Sequence, residues 1–151
     1  MCLVTNTKPI VMIATCDILV IKLLTEYWMT PFTYQPVPDD GKMRNPEFVL
    51  TDGENMYAPY DNDMDNPCER ANCSEIHGND YVIGVGFHSY AYDAQGAERA
   101  DRYIASSCVA YEAVIPKGTR YVTDGHGHYV SDALDIRLSK KIRYDRLLNL
   151  P

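Results

Sequence analysis

Short runs of β-branched and aromatic residues, each closed by Gly, Pro or Asp, are what most restricts the folds open to this chain. Residues 10–14 (Ile-Val-Met-Ile-Ala) and 18–24 (Ile-Leu-Val-Ile-Lys-Leu-Leu) are too short and too β-branched for helices, and they read as buried strands. Lys22 is the one charge in the second run. It either sits at a sheet edge with its ammonium in water or points into a polar site, and the cost of burying a charge favours the edge.

Further strands are expected at residues 81–87, where Gly84 and Gly86 suggest a bulge or close backbone approach, and at 108–115, ended by the turn Pro116-Lys117-Gly118. Residues 120–123 and 128–130 flank Asp124-Gly125-His126-Gly127 as a hairpin, whose histidines are expected to be exposed at its tip. Leu134, Ile136 and Leu138 alternate with polar residues as a half-buried strand, and the tail 140–151 reads as a last strand or a short helix. Between residues 89 and 107, Ala94, Ala97, Ala100 and Ile104 recur at helical spacing opposite Asp93, Glu98, Arg99, Asp101 and Arg102. That predicts one amphipathic helix whose alanine face can lie close against a sheet.

From 30 to 67, six prolines interrupt an acidic, polar stretch, which predicts loop with at most a short strand at 47–50. The expected fold is therefore α+β: a mainly antiparallel β-sheet, one principal helix and a long proline-rich loop region, in a single domain over 151 residues.

A net charge of −7 argues against nucleic acid as a partner, because phosphate-backbone affinity comes from Lys and Arg. The uninterrupted apolar pieces fall short of the ~20 residues a membrane span needs, so no membrane partner is expected. The first residues lack the basic-then-apolar order of a secretory signal. Five cysteines at uneven spacing read as free thiols in a reducing, cytoplasmic compartment.

Three clusters bear on chemistry. Cys68, Cys73 and His77, with His88 further on, are suitable zinc ligands, but their spacing lacks the compact paired knuckles of structural zinc sites, and free thiols with surface histidines are the simpler reading. Asp61, Asp63 and Asp65 open like a calcium loop, yet Asn66 replaces its glycine and Asn72 its bidentate glutamate, which leaves a solvated acidic loop. His126 and His128 could relay protons or bind metal, and a turn explains them more simply. No phosphate loop, nucleophile elbow or paired-histidine zinc helix occurs.

Four segments taken in order resemble a group of small uncharacterised proteins of gut Bacteroidales and their phages: Asp17-Ile18-Leu19-Val20-Ile21-Lys22, Gly86-Phe87-His88-Ser89-Tyr90, Ile115-Pro116-Lys117-Gly118-Thr119-Arg120-Tyr121, and Tyr129-Val130-Ser131-Asp132-Ala133-Leu134-Asp135-Ile136. This resemblance implies an origin rather than an activity. The chain also bears a weaker likeness to the ADP-ribosyltransferase fold, in which a basic residue, a short Ser/Thr/Tyr motif and a final-strand glutamate surround NAD. That likeness would set Lys22, His88, Tyr90 and Asp132 in catalytic positions, with Lys22, His88, Ser89, Tyr90 and Ser131 binding the ligand. The chain departs from the pattern at two places, offering Lys22 for arginine or histidine and Asp132 or Asp135 for glutamate, and a carboxylate moved by ~1 Å can cost 10²-fold in rate.

The expected function is binding of a protein or small ligand without catalysis, as a phage- or prophage-related accessory protein. An ADP-ribosyltransferase-like enzyme or nucleotide binder is the alternative. A virion-associated structural protein, which would be a stable oligomer, is the second alternative.

Overall fold

The computed structural model describes residues 3–5, 10–31, 36–44, 81–83, 86–104 and 107–151. The fold is α+β. Its strands, in chain order, are β1 (Leu3–Thr5), β2 (Met12–Ile13), β3 (Ile18–Thr25), β4 (Lys42–Arg44), β5 (Tyr81–Ile83), β6 (Phe87–Ala91), β7 (Cys108–Ile115), β8 (Arg120–Thr123), β9 (His128–Ser131) and β10 (Ala133–Ile142). Helix α1 (Ala94–Ile104) follows β6, and the short α2 (Tyr144–Leu147) follows β10. Eight strands form one antiparallel sheet in the order β2-β8-β9-β6-β3-β7-β10-β4, and β1 pairs with β5 separately. No helix among the described residues is long and apolar enough to cross a membrane.

The backbone of this sheet is the long β3–β7 pair, in register from Ile18 opposite Ile115 to Thr25 opposite Cys108. Alternation then divides the apolar side chains between two faces. Val20, Leu24, Ala113, Ile115, Leu134 and Ile136 lie on one face, where Val37 and Met43 join them. Ile21, Leu23, Tyr90 and Ala110 lie on the other, against Ala97 and Ala100 of α1 and Leu147 of α2. Leu3 packs on Val122 and Val130 in a third cluster. Ala97 and Ala100 of α1 are buried as their spacing predicts, whereas Ala94 is exposed and Ile104 is half-buried.

Several sequence expectations are corrected. The helix begins at Ala94, and residues 89–91 belong to β6. Asp93 sets that boundary, because its carboxylate accepts the Gly96 N–H at 2.8 Å while its carbonyl accepts the Ala97 N–H at 2.9 Å, the two bonds of an N-cap. Two residues of the 10–14 run form β2, and they are an exposed edge rather than a buried strand, with Ile13 63% exposed. Lys22 is not at an edge but on a central strand, 5% exposed. Residues 42–44, expected as loop, pair with β10. The tail is both strand and helix, since β10 runs to Ile142 and α2 follows. The expected strand at 47–50, the acidic loop of Asp61, Asp63 and Asp65, and the candidate ligands Cys68, Cys73 and His77 lie outside the described residues.

Candidate functional site

The candidate residues of β3 and β6 meet where those two strands part. Ala91 N–H donates to Gly127 O at 2.9 Å, so the odd residues of β6 bond toward β9 and the backbone groups of His88 and Tyr90 face β3. The β3–β6 register holds for Val20 with Ala91 and Ile21 with Tyr90. At the next carbonyl facing β3, His88 O, the acceptor is satisfied by the Lys22 ammonium at 2.7 Å. A side chain thus continues what a backbone ladder would have done. Burial lowers the Lys22 pKa from 10.5 to about 8.

His88 also touches the hairpin. Its Nδ1 lies 2.9 Å from Nε2 of His128, and one ring nitrogen donates to the other according to tautomer. His128 was expected at an exposed tip, but it is 1% exposed, as the first residue of β9 with Val130 two places on sharing its face. Tyr90 packs between His128 and Tyr103 of α1, with ring centroids at 5.2 and 6.1 Å. Burial, reinforced by the Arg99 guanidinium and the Lys22 ammonium, pushes the His128 pKa down to about 3, so this imidazole is neutral at ordinary pH. Burial raises the Tyr90 phenol well above its usual value. In short, a neutral histidine, a protonated tyrosine and a half-buried His88 face one another.

The hairpin tip is clamped onto α1. Asp124 Oδ1 accepts the N–H groups of His126 at 2.8 Å and His128 at 3.1 Å, and its other oxygen pairs with Arg99, which also donates to His126 O at 3.2 Å. Gly127 lies against the helix backbone. A Cβ added there would meet Gly96 N at 3.1 Å, and one added at Gly96 would meet Ala91 O at 1.9 Å. Three strands and a helix therefore fix the positions of His88 and His128.

The remaining sequence candidates point elsewhere. Ser89 and Ser131 are fully buried, and Ser131 Oγ donates to Ala133 O at 2.9 Å. Asp132 forms a 2.8 Å ion pair with Arg120, and Asp135 forms one with Arg44, also at 2.8 Å. His88 and Tyr90 thus meet at His128 and Lys22 reaches them only through the His88 carbonyl oxygen, while Asp132 and Asp135 are engaged with their own arginines. No group of three or more potential metal ligands occurs among the described residues. The sequence reading missed His128 as the partner of His88. Its one signal was period-two alternation with Val130.

A second feature lies at the opposite end of α1. A groove of about 610 Å³ opens between the end of α1, the start of β7, the end of β10 and α2. Cys108 lies in its floor, and burial raises the pKa of that thiol, so it is protonated and unreactive beside an activated thiolate. Comparison with known proteins returned no matching family model, no curated relative and no similar solved structure.

Proposed function

We propose that this protein acts by binding a protein or small ligand rather than by catalysis, as a cytoplasmic accessory factor of phage or prophage origin. One observation carries the non-catalytic part. The polar groups best suited to chemistry are engaged with one another: the Lys22 ammonium on a backbone carbonyl, His88 on His128, and Asp132 on Arg120. A catalytic set must instead converge on a place where a reacting atom can sit. The four-segment resemblance supports the origin, and the groove beside α2 supports ligand binding.

Thermal unfolding with a panel of metabolites, together with recovery of the tagged protein from cells, tests this reading. A ligand bound by the native state raises the melting temperature through RT ln(1 + [L]/Kd). The expected results are stabilisation by a member of the panel or a stoichiometric co-purifying protein, and no response to NAD or related nucleotides at millimolar concentration. A response to NAD that Lys22→Met removes would overturn the reading in favour of the nucleotide alternative. Absence of every ligand and partner would overturn it as well, and a concentration-independent oligomer on sizing would favour a structural component.

A further inference from the structure

Lys22 and Ser89 bring unused hydrogen-bonding capacity to one buried place. Alternation along β3 puts Lys22 on the face of Val20 and Leu24, and alternation along β6 puts Ser89 on that same face, with Phe87. The register that pairs Val20 with Ala91 and Ile21 with Tyr90, carried one step further, sets Lys22 opposite Ser89. The carbonyl that Lys22 holds at 2.7 Å belongs to the peptide unit joining His88 to Ser89, so the ammonium lies one planar unit from the Ser89 Cα.

Both groups are cut off from water, Lys22 being 5% exposed and Ser89 0% exposed. An ammonium carries three N–H donors, and the His88 carbonyl takes one of them. Ser89 Oγ has no hydrogen-bond partner within the protein, although buried polar side chains are nearly always bonded. Charge is unbalanced here as well. Lys22 belongs to none of the ion pairs among the described residues, and Val20, Leu24, Phe87 and Tyr111 around it on this face carry no carboxylate. With its pKa at about 8 the ammonium stays charged at neutral pH, and an isolated buried charge is costly.

These facts set three conditions on a ligand. The unused groups are N–H and O–H donors, so it must accept hydrogen bonds. It must be an anion, because a neutral acceptor leaves the ammonium unbalanced. It must also be about the size of a water molecule, since neither group opens to solvent, and this excludes organic carboxylates, phosphate and nucleotides. A halide meets all three conditions, and chloride gives up its hydration more readily than fluoride.

We propose that Lys22 and Ser89 bind one chloride ion where β3 and β6 part, the ion accepting from the ammonium and from the Ser89 hydroxyl. It joins the two strands at the point where their backbone register stops. The site goes beyond the binding reading above and does not rest on it.

The test uses the full chain in sodium chloride and in sodium gluconate at equal sodium concentration, with thermal unfolding reporting binding to the native state. The melting temperature of the wild type is expected to rise with chloride and not with gluconate. Lys22→Met should remove the difference between the two salts. Ser89→Ala keeps the ammonium and should weaken chloride by about tenfold or more, the loss of one hydrogen bond to a charged group. Crystals grown in bromide should show one anomalous peak in contact with Lys22 Nζ and Ser89 Oγ. Equal responses to both salts in the wild type, or an unchanged chloride response in Ser89→Ala, would overturn the proposal even if Lys22→Met fails to fold. So would a water without anomalous signal at that place. A bromide peak with no chloride dependence in solution would mark an adventitious ion only, and would overturn it too. None of these outcomes bears on the metabolite panel or the co-purification, which test the binding reading.

Discussion

The Nδ1 atom of His88 and the Nε2 atom of His128 lie 2.9 Å apart, joining β6 to β9 through their side chains as well as their backbones. His128 is the buried member, packed against Tyr90 as well as His88, with the Arg99 and Lys22 cations further disfavouring its charged form. It takes up a proton near pH 3 when folded but near 6.5 when unfolded, so between these values the unfolded chain holds more protons. The stability due to neutral His128 is fully present above about pH 6.5 and lost as pH falls toward 3, by at most about 1.4 kcal/mol per unit. Urea unfolding at intervals from pH 7 to 4 should show a shallower decline for His128→Gln than for the wild type. Identical slopes would mean that His128 does not titrate as its burial requires.

Gly96, Gly127 and Gly118 form a graded series. In a helix, Gly→Ala ordinarily stabilises by about 0.5–1 kcal/mol. At Gly96 the sign should reverse, because the new Cβ would lie 1.9 Å from the Ala91 carbonyl oxygen and α1 would have to lift from β6. Gly127→Ala combines a positive φ of 89° with contact at 3.1 Å against Gly96 N, and should cost about 2 kcal/mol. Gly118→Ala also has a positive φ, 87°, but meets nothing within 4 Å, and should cost only about 1 kcal/mol. Thermal unfolding of the three variants should rank them in that order. A stabilised Gly96→Ala would refute the close packing of hairpin, strand and helix.

The series also shows where sequence ran out. The β-branched runs at 18–24 and 108–115, the buried Ala97 and Ala100 of α1 and the hairpin around Asp124 were legible because period and turn chemistry are local properties. The placement of Lys22 was not. Its burial depends on the separation of β3 from β6, which exposes the His88 carbonyl to it, and no local pattern encodes the spacing of strands 66 positions apart. His128 was misplaced for a related reason, because Asp-Gly-His-Gly-His reads locally as a tip whereas the Arg99–Asp124 pair folds that tip onto α1. The start of α1 was obscured because residues 89–91 suit either state, and the Asp93 cap decides between them.

Lys22 titrates with the same direction as His128 in a different window. Its pKa is lowered from 10.5 to about 8, so between pH 8 and 10.5 the unfolded chain binds more protons and native stability rises with pH. Lys22→Met removes both the buried ammonium and its bond to His88 O. The wild type should therefore gain on this variant as pH rises across that window, by up to about 3 kcal/mol, at ~1.4 kcal/mol per unit. Denaturant midpoints of both proteins at pH 7.5, 9 and 10 provide the comparison. A constant difference would place the ammonium in water.

Asp124 should be the most sensitive acidic residue of the hairpin. Its side chain is 5% exposed, and it holds two backbone N–H groups and the Arg99 guanidinium. Asp124→Ala leaves those two donors and a partly buried cation without their acceptor, at a cost of about 2–4 kcal/mol. Asp124→Asn keeps an oxygen for the turn and should cost less. Arg99→Ala should also cost less than Asp124→Ala, because the carboxylate retains both N–H donors. In a double-mutant cycle the Arg99–Asp124 coupling should be about 1–3 kcal/mol. A coupling near zero would show that the turn alone, rather than its ion pair to α1, positions His128 against His88.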